Sequence, residues 1–413
     1  MEASLKEVCC HESRLGLESM TILLEYLGNP QKDLTFIHVA GTNGKGSFIA
    51  FLSNILIQAG YKTGVYTSPA LVDDRETICI NKNMISEKQM KELSSVVADA
   101  LIHIKEDGKL VATEFEAMSA LAILYFKKEG CDYCILEVGL GGTLDATNVI
   151  ERSKLAVITS ISMDHMGFLG NTIEEIAVQK AGIIKENGLV LTMDQQVVPV
   201  IQRIADDKHA KLVVCKQKPY DIDYSLEGIT FSFEHLKQVS IHLLGTYQVQ
   251  NACLAICAAR LLKIDALYIR KGLESTSWPG RFEILRKDPI VLIDGSHNLD
   301  GVKTLSDSLS AYFGDKKIYF VLGVLADKEY EAMAEFYLKH AKEIYTITVP
   351  NPRALSAKDY KNVFAGKSSI PVYACDSIEQ AVTSVMAKAE ADDVIAICGS
   401  LYYIGTVRRM FLY

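Results

Sequence analysis

Tryptophan occurs once and proline only nine times in 413 residues, and no apolar run approaches the roughly 18 residues that a membrane-crossing helix needs. Basic charge is not in excess either. Lys and Arg number 43 against 51 Asp and Glu, a formal net charge of −8, so the chain carries no general electrostatic footprint for nucleic acid or anionic lipid. The first residues, with Glu2, Glu7, His11 and Glu12, lack the basic-then-apolar order of a secretory signal, and a cytoplasmic protein is expected. Ten cysteines are scattered along the chain. The one CxxC, Cys131 to Cys134, has no second pair to complete a zinc site, which points to structural thiols in a reducing compartment. Repeats of 20 to 50 residues and low-complexity tracts are missing, which removes solenoids and linker-rich arrays.

What remains is a globular composition, 49% hydrophobic and 23% charged, at a length that favours two or three domains. Short β-type runs alternate with helical periods. Thr35 to Ala40 reads as a strand, followed by a glycine-rich turn and a helix whose Phe48, Phe51, Leu52, Ile55 and Leu56 recur at helical spacing. Further runs at Thr63 to Thr67, Tyr133 to Val138, Leu155 to Ile161, Leu189 to Met193 and Lys211 to Val214 predict a mostly parallel, doubly wound α/β sheet. Alternation at Ile229, Phe231, Phe233 and then at Ile241 and Leu243 predicts a small antiparallel β appendage, after which Asn251 to Leu262 reads as helix. A second α/β set follows, with strands near Ile290 to Asp294, Lys317 to Leu322, Glu343 to Val349 and Val394 to Cys398. The boundary is placed near Glu283 to Lys287, giving domains 1–284 and 285–413.

The chemistry concentrates in loops after strands. Gly41-Thr42-Asn43-Gly44-Lys45-Gly46-Ser47 lies between the first strand and helix, where backbone N–H groups and a helix N-terminus can hold phosphate oxygens beside a lysine. It departs from the standard Walker pattern, since Val39 stands at the first glycine position and Gly46 separates Lys45 from Ser47. Glu137 ends an apolar strand, on the edge where open α/β sheets place ligands, and suits a magnesium ion between phosphates. Asp164-His165 reaches the same edge. Thr172 and Glu175 form a capping-box pattern that starts a helix with Ile173, Ile176, Ala177 and Lys180 on one face. An inward lysine loses basicity and can take up carbon dioxide as a carbamate; the plain alternative is a snorkelling lysine with a buried stem. For Asp294, at the end of a strand in the second half, the plain alternative is a turn former or helix cap.

His38-Val39-Ala40 followed by GTNGKGS resembles the folylpolyglutamate synthases, a branch of the muramyl ligase superfamily. The resemblance runs almost end to end through Arg14-Leu15-Gly16-Leu17, Thr67-Ser68-Pro69, Phe115-Glu116, Glu137 to Gly142 with Leu144 to Asn148, Asp164-His165, Lys180 to Ile183, Gln248 with Asn251-Ala252, Trp278 to Arg281, Asp294 to Asn298, Asp327-Lys328 and Gly399 to Tyr402. It implies a P-loop ATPase domain with a Rossmann-like C-terminal domain. The activity implied is ATP-dependent addition of L-glutamate to the γ-carboxylate of a tetrahydrofolate through an acyl phosphate, by a monomer. The alternatives within that mechanism are dihydrofolate synthesis from dihydropteroate, or another acyl substrate.

By the same resemblance Lys45, Lys180 and His165 are catalytic. ATP falls to Asn43, Gly44, Lys45, Gly46, Ser47, Asn251, Arg281, Asp294 and His297, held where the two domains face each other. The acyl substrate falls to Phe115, Glu116, Leu144, Asp145 and Ala146, and two magnesium ions to Ser68, Glu137, His165 and carbamylated Lys180. Four positions depart from the family pattern: Ala70 and Tyr247 stand for histidine, Thr77 and Thr143 for arginine. A GTPase would need an Asn-Lys-x-Asp segment, and Asn81-Lys82 is followed by Asn83-Met84; a nicotinamide dehydrogenase would want G-x-G-x-x-G without the lysine.

Overall fold

In a computed structural model, residues 3–12 and 14–412 are described, and they form two compact units: 1–218 with 251–276, and 219–250 with 277–413. The first unit carries an eight-stranded sheet of β1 (Phe36–Ala40), β2 (Thr63–Tyr66), β3 (Ile78–Ile80), β4 (Asn83–Met84), β5 (Tyr133–Glu137), β6 (Leu155–Ile158), β7 (Leu189–Met193) and β8 (Lys211–Cys215). Their order is β4-β3-β2-β5-β1-β6-β7-β8, parallel except where β3 and β4 join. The apolar runs of β1, β5 and β6 are buried on both faces, as parallel strands under helices require. From β1 the chain crosses to one side to form β2 and later returns to form β6 on the other, so the order reverses at β1. A crevice for ligands opens at the carboxyl ends of strands at such a reversal.

Helix starts follow local chemistry. Thr113 and Glu116 close a capping box on the helix Glu114–Glu129, which ends at left-handed Gly130, and Thr172 and Glu175 do the same for Ile173–Ala181. The β3 and β4 pair was not legible in the sequence, because strands of three and two residues show no period. Its turn is Asn81-Lys82, both at positive φ, so the pair that falls short of a guanine-reading motif is a hairpin turn.

The second unit holds two sheets. The expected antiparallel appendage is β9 (Tyr220–Ser225), β10 (Gly228–Phe233) and β11 (Leu236–Ile241). Next come β12 (Glu283–Lys287), β13 (Ile290–Asp294), β14 (Ile318–Leu322), β15 (Ala341–Thr346), β16 (Val372–Ala374) and β17 (Val394–Cys398), in the order β12-β13-β17-β14-β15-β16. The stretch 283–287, read from the sequence as a domain boundary, is thus strand β12, antiparallel to β13. Phe320, Tyr337 and Leu305 sit in this unit's apolar core. The helix expected from Asn251 begins at Tyr247, where Gln248 N–H donates to the Gly245 carbonyl.

All ten cysteines are free thiols, and Cys131 and Cys134 are buried. Among the described residues no helix is long and apolar enough to cross a membrane. Ile37, fully buried and paired to both β5 and β6, tests how far the site rests on this sheet. Ile37→Ala should lower the unfolding free energy by about 2 to 5 kcal/mol, read from the first transition of a urea titration.

Candidate active site

The carboxyl ends of β1, β5 and β6 bring together residues from several separate stretches of sequence. Gly41 to Gly44 leave β1, and the helix Lys45–Gln58 starts at once, with Gly44 as its N-cap at φ 85°. Gly41, at φ 150°, has no room for a side chain: a Cβ there would stand 1.8 Å from Thr159 Oγ1. The loop is pinned from the β6 side. Thr42 N–H donates to the Ser160 carbonyl at 2.7 Å, and Thr159 Oγ1 donates to the Asn43 carbonyl at 2.7 Å. Asn251 packs on the same loop, its Oδ1 2.5 Å from where a Gly44 Cβ would be.

Lysine 45 folds back over this loop. Its Nζ donates to the carbonyls of Gly41 at 3.1 Å and Thr42 at 3.3 Å, and lies 3.9 Å from Glu137 Oε1. Glu137, at the end of β5, accepts from the Ser68 backbone N–H through Oε2 at 3.3 Å. Lys180 arrives from the capped helix, 5% exposed, with Nζ donating to the Gly41 carbonyl at 2.8 Å. Burial first, and the nearby Lys45 charge second, push its pKa down to about 7, with Asp164 and Asp145 opposing. The sequence reading of an inward lysine on this helix face corresponds to this position. His165 follows β6 in left-handed conformation (φ 51°), its backbone N–H donating to Asp164 Oδ1 at 2.8 Å.

The expected acyl-side residues divide into two groups. Leu144 is 45% exposed, and the Phe115 ring lies over Gly139, where a Cβ would meet it at 2.6 Å. Glu116 and Asp145 instead spend both oxygens inside the protein. Glu116 accepts from Ser19 Oγ at 2.5 Å and Thr113 N–H at 2.7 Å. Asp145 accepts from the N–H groups of Gly139, Leu140 and Thr147 and from the Thr147 hydroxyl. That hydroxyl, having donated to Asp145, accepts from His38 Nε2, 2.8 Å away, which fixes the tautomer of a buried imidazole whose pKa burial drops to about 3. Ala146 is buried beside them.

In the second unit, Arg281, Asp294 and His297 form one cluster at the end of β13. Asp294 Oδ2 accepts from Tyr247 Oη at 2.7 Å and from Phe282 N–H at 2.9 Å, and Oδ1 from Ser296 N–H at 2.8 Å. Burial holds the Tyr247 phenol well above its ordinary pKa, so it stays a donor. The Arg281 guanidinium lies against Gly295, whose carbonyl pairs with His297 Nδ1 at 2.8 Å.

The chain has counterparts among known proteins. The model of the Mur ligase middle domain matches residues 39–259, and that of the Mur ligase glutamate ligase domain residues 280–401. The chain is 36% identical over 414 residues to the dihydrofolate synthase/folylpolyglutamate synthase of Bacillus subtilis, covering 95% of this chain and 94% of that protein. It belongs to the folylpolyglutamate and dihydrofolate synthase family of Mur ligases. The folylpolyglutamate synthase of Lacticaseibacillus casei is 34% identical, with 94% and 93% covered. Among solved structures, Mycobacterium tuberculosis folylpolyglutamate synthase complexed with ADP and AMPPCP superposes with a TM-score of 0.90 at 28% identity, covering 97% of this chain and 96% of that one. Escherichia coli FolC in complex with DHPP and ADP gives 0.88 at 29%, with 99% and 96% covered.

Within this family framework the departures acquire surroundings. Thr143 is exposed and its hydroxyl donates to the Gln179 carbonyl at 3.1 Å, next to Lys180; Thr77 caps the Asp74 carbonyl; Tyr247 holds Asp294. Sequence reading missed Thr159 and Gln195, which support the phosphate loop from more than 100 residues away in the chain, and no local pattern marks them.

The low pKa of Lys180 has a sign that can be checked. Its folded value of about 7 lies below the unfolded 10.5, so between them the unfolded chain binds more protons and stability rises with pH. In buffer free of carbon dioxide, Lys180→Met should be more stable than the parent at pH 7 by about 2 to 4 kcal/mol, and the advantage should fade towards pH 10 in paired denaturant titrations.

Proposed function

We propose that this chain is an ATP-dependent carboxylate–amine ligase that extends a reduced folate by one L-glutamate at its γ-carboxylate. The single observation that carries this reading is the convergence of Lys45, Glu137 and Lys180 on one phosphate-type loop at the carboxyl edge of the sheet. The names of the family members and their nucleotide complexes support it. The part matched by the middle-domain model, 39–259, would serve as the ATPase and the part matched by the glutamate ligase model, 280–401, as the ligase. A monomer acting in the cytoplasm fits this reading.

In the proposed reaction the triphosphate takes the place of the Gly41 and Thr42 carbonyls as the partner of Lys45. Loop N–H groups and the helix start at Lys45 then hold the phosphate oxygens, with Asn43, Gly46 and Ser47 alongside. The substrate carboxylate oxygen attacks the γ-phosphorus in line and ADP leaves, forming an acyl phosphate. The glutamate amino group then attacks the acyl carbon, inorganic phosphate departs, and the amine gives up a proton as the amide forms. Lys45 neutralises charge and the loop fixes distance, which is what phosphoryl transfer asks of a protein. By the family resemblance Arg281, Asp294 and His297 are further nucleotide candidates, and Leu144 and Phe115 would face the acyl group while Glu116, Asp145 and Ala146 shape its surroundings.

Glu137 presents carboxylate oxygens beside Lys45 of the phosphate loop, with the Ser68 N–H on Oε2, and so fits one magnesium ion for which Ser68 would be a second ligand and whose role when bound is to neutralise phosphate charge. Among the described residues no three His, Cys, Asp or Glu side chains converge as a ready metal site. His165, beside Asp164, would hold a second ion together with an oxygen donor from Lys180. A Lys180 amine whose pKa is lowered to about 7, and so is about half neutral there, supplies one by adding carbon dioxide, with loss of a proton, to give a carbamate. Labelling with 13C-bicarbonate should reveal one carbamate carbon in the parent and none in Lys180→Met.

The reading predicts phosphate release from ATP only when an acyl acceptor and glutamate are both present, abolished in a folded Lys45→Ala. Tetrahydrofolate as the active acceptor supports the folylpolyglutamate reading, whereas activity with dihydropteroate assigns the dihydrofolate synthase reaction; silence with both removes folate chemistry. Because Thr143 is exposed, an arginine fits there. Thr143→Arg should lower KM for polyglutamyl folates about 10-fold, the value of one charge-assisted contact, in parallel titrations of mono-, di- and triglutamyl substrate.

A further inference from the structure

The segment 159–162 leaves the sheet at the point where β6 stops pairing, with Ile158 opposite Thr192 as the last β6–β7 pair. On one side it is bonded to the phosphate loop. Thr42 N–H donates to Ser160, Thr159 and Ser160 hydroxyls donate to the Asn43 carbonyl, and the Thr42 hydroxyl exchanges bonds with Ser162 at 3.1 Å in each direction. On the other side β7 has turned away, and main-chain partners end.

One side chain takes their place. Gln195 Oε1 accepts from Ile161 N–H at 2.9 Å, while Nε2 donates to the Thr159 carbonyl at 3.0 Å and to Thr192 Oγ1 at 2.9 Å. Thr192 Oγ1 in turn donates to the Ile158 carbonyl at 2.9 Å. The Ile161 N–H requires an acceptor and the Thr159 carbonyl a donor, so the orientation of the amide is fixed by its partners. Gln195 thereby continues the ladder beyond its last backbone pair, and the segment is gripped between this amide and the phosphate loop. Asp164 and His165 follow the gripped stretch after Met163 alone.

We infer that Gln195 is a positioning residue for nucleotide binding, holding segment 159–162 so that Thr159, Ser160 and Ser162 set the shape of the phosphate loop. This rests on the reading of that loop as the ATP site. Gln195 touches neither the loop nor the position of a phosphate; its influence passes through Thr159 and Ile161. The loop needs such support because Gly41 and Gly44 supply no side-chain packing of their own, and a loop that holds phosphates loses affinity when its N–H groups are misdirected.

The test is a double-mutant cycle of Gln195→Met and Thr159→Val, both close in shape to the residues they replace. Steady-state ligation and calorimetric binding of a non-hydrolysable ATP analogue are the readouts. Gln195→Met should raise KM for ATP and the analogue Kd about 10- to 100-fold, with KM for glutamate within about twofold of the parent. Thr159→Val should do likewise, and the double variant should be little worse than either single one, because both act through one segment. Amide hydrogen exchange at Thr42 and Ile161 should speed up in Gln195→Met, which reports the effect even where turnover is too slow to measure. Unchanged analogue affinity in Gln195→Met, or fully additive losses in the cycle, would overturn the inference while leaving the ATP site standing. A parent protein that binds no analogue would overturn the ATP reading and this inference with it.

Discussion

The Gly41 carbonyl oxygen accepts hydrogen bonds from two lysines, Lys45 at 3.1 Å and Lys180 at 2.8 Å. Two ammonium groups cannot share so small and buried a space at full charge, and the one with less water gives way: Lys180 is nearly sealed, Lys45 retains some exposure. Its depressed pKa is the electrostatic consequence of where the sheet and the capped helix deliver it. A neutral amine at this point invites the charge inversion of a carbamate, which would convert repulsion from Lys45 into attraction. The position of one carbonyl oxygen thus links the backbone of the loop to the chemistry of both lysines.

That carbonyl is placed by constraints from elsewhere. Gly41 can approach Thr159 only because it lacks a Cβ, and the strap it approaches is held from behind by Gln195. The same logic appears at β5, where Asp145 collects donors from Gly139 and Leu140 and so sets the loop that follows Glu137. Buried carboxylates used in this way are satisfied on every side, which is the condition for burying them at all. In the second unit Asp294 plays the corresponding part for Phe282 and Ser296, with the protonated Tyr247 as its third donor. Held well above its ordinary pKa, that phenol keeps its proton through neutrality.

The sequence by itself determined what depends on near neighbours. Parallel strands appear as continuous apolar runs because both faces are covered, and the edges found for Leu189–Met193, Ile290–Asp294 and Val394–Cys398 agree with those runs to the residue. The capping box ahead of Lys180 is a four-residue pattern that starts the helix, and the spacing of Ile173, Ile176 and Ala177 puts that lysine on the inward face. The glycine-lysine loop between strand and helix was legible for the same reason. Only the tertiary structure decided which distant groups meet. Glu116 and Asp145 stand in ligand-type motifs, yet Ser19, Thr113, Gly139 and Thr147 reach their oxygens first. The β sheet of 219–250 joins the second unit although β8 precedes it directly in the chain. Thr159 and Gln195 matter through partners set by strand order, and a hydrogen bond across 116 residues leaves no periodicity to read.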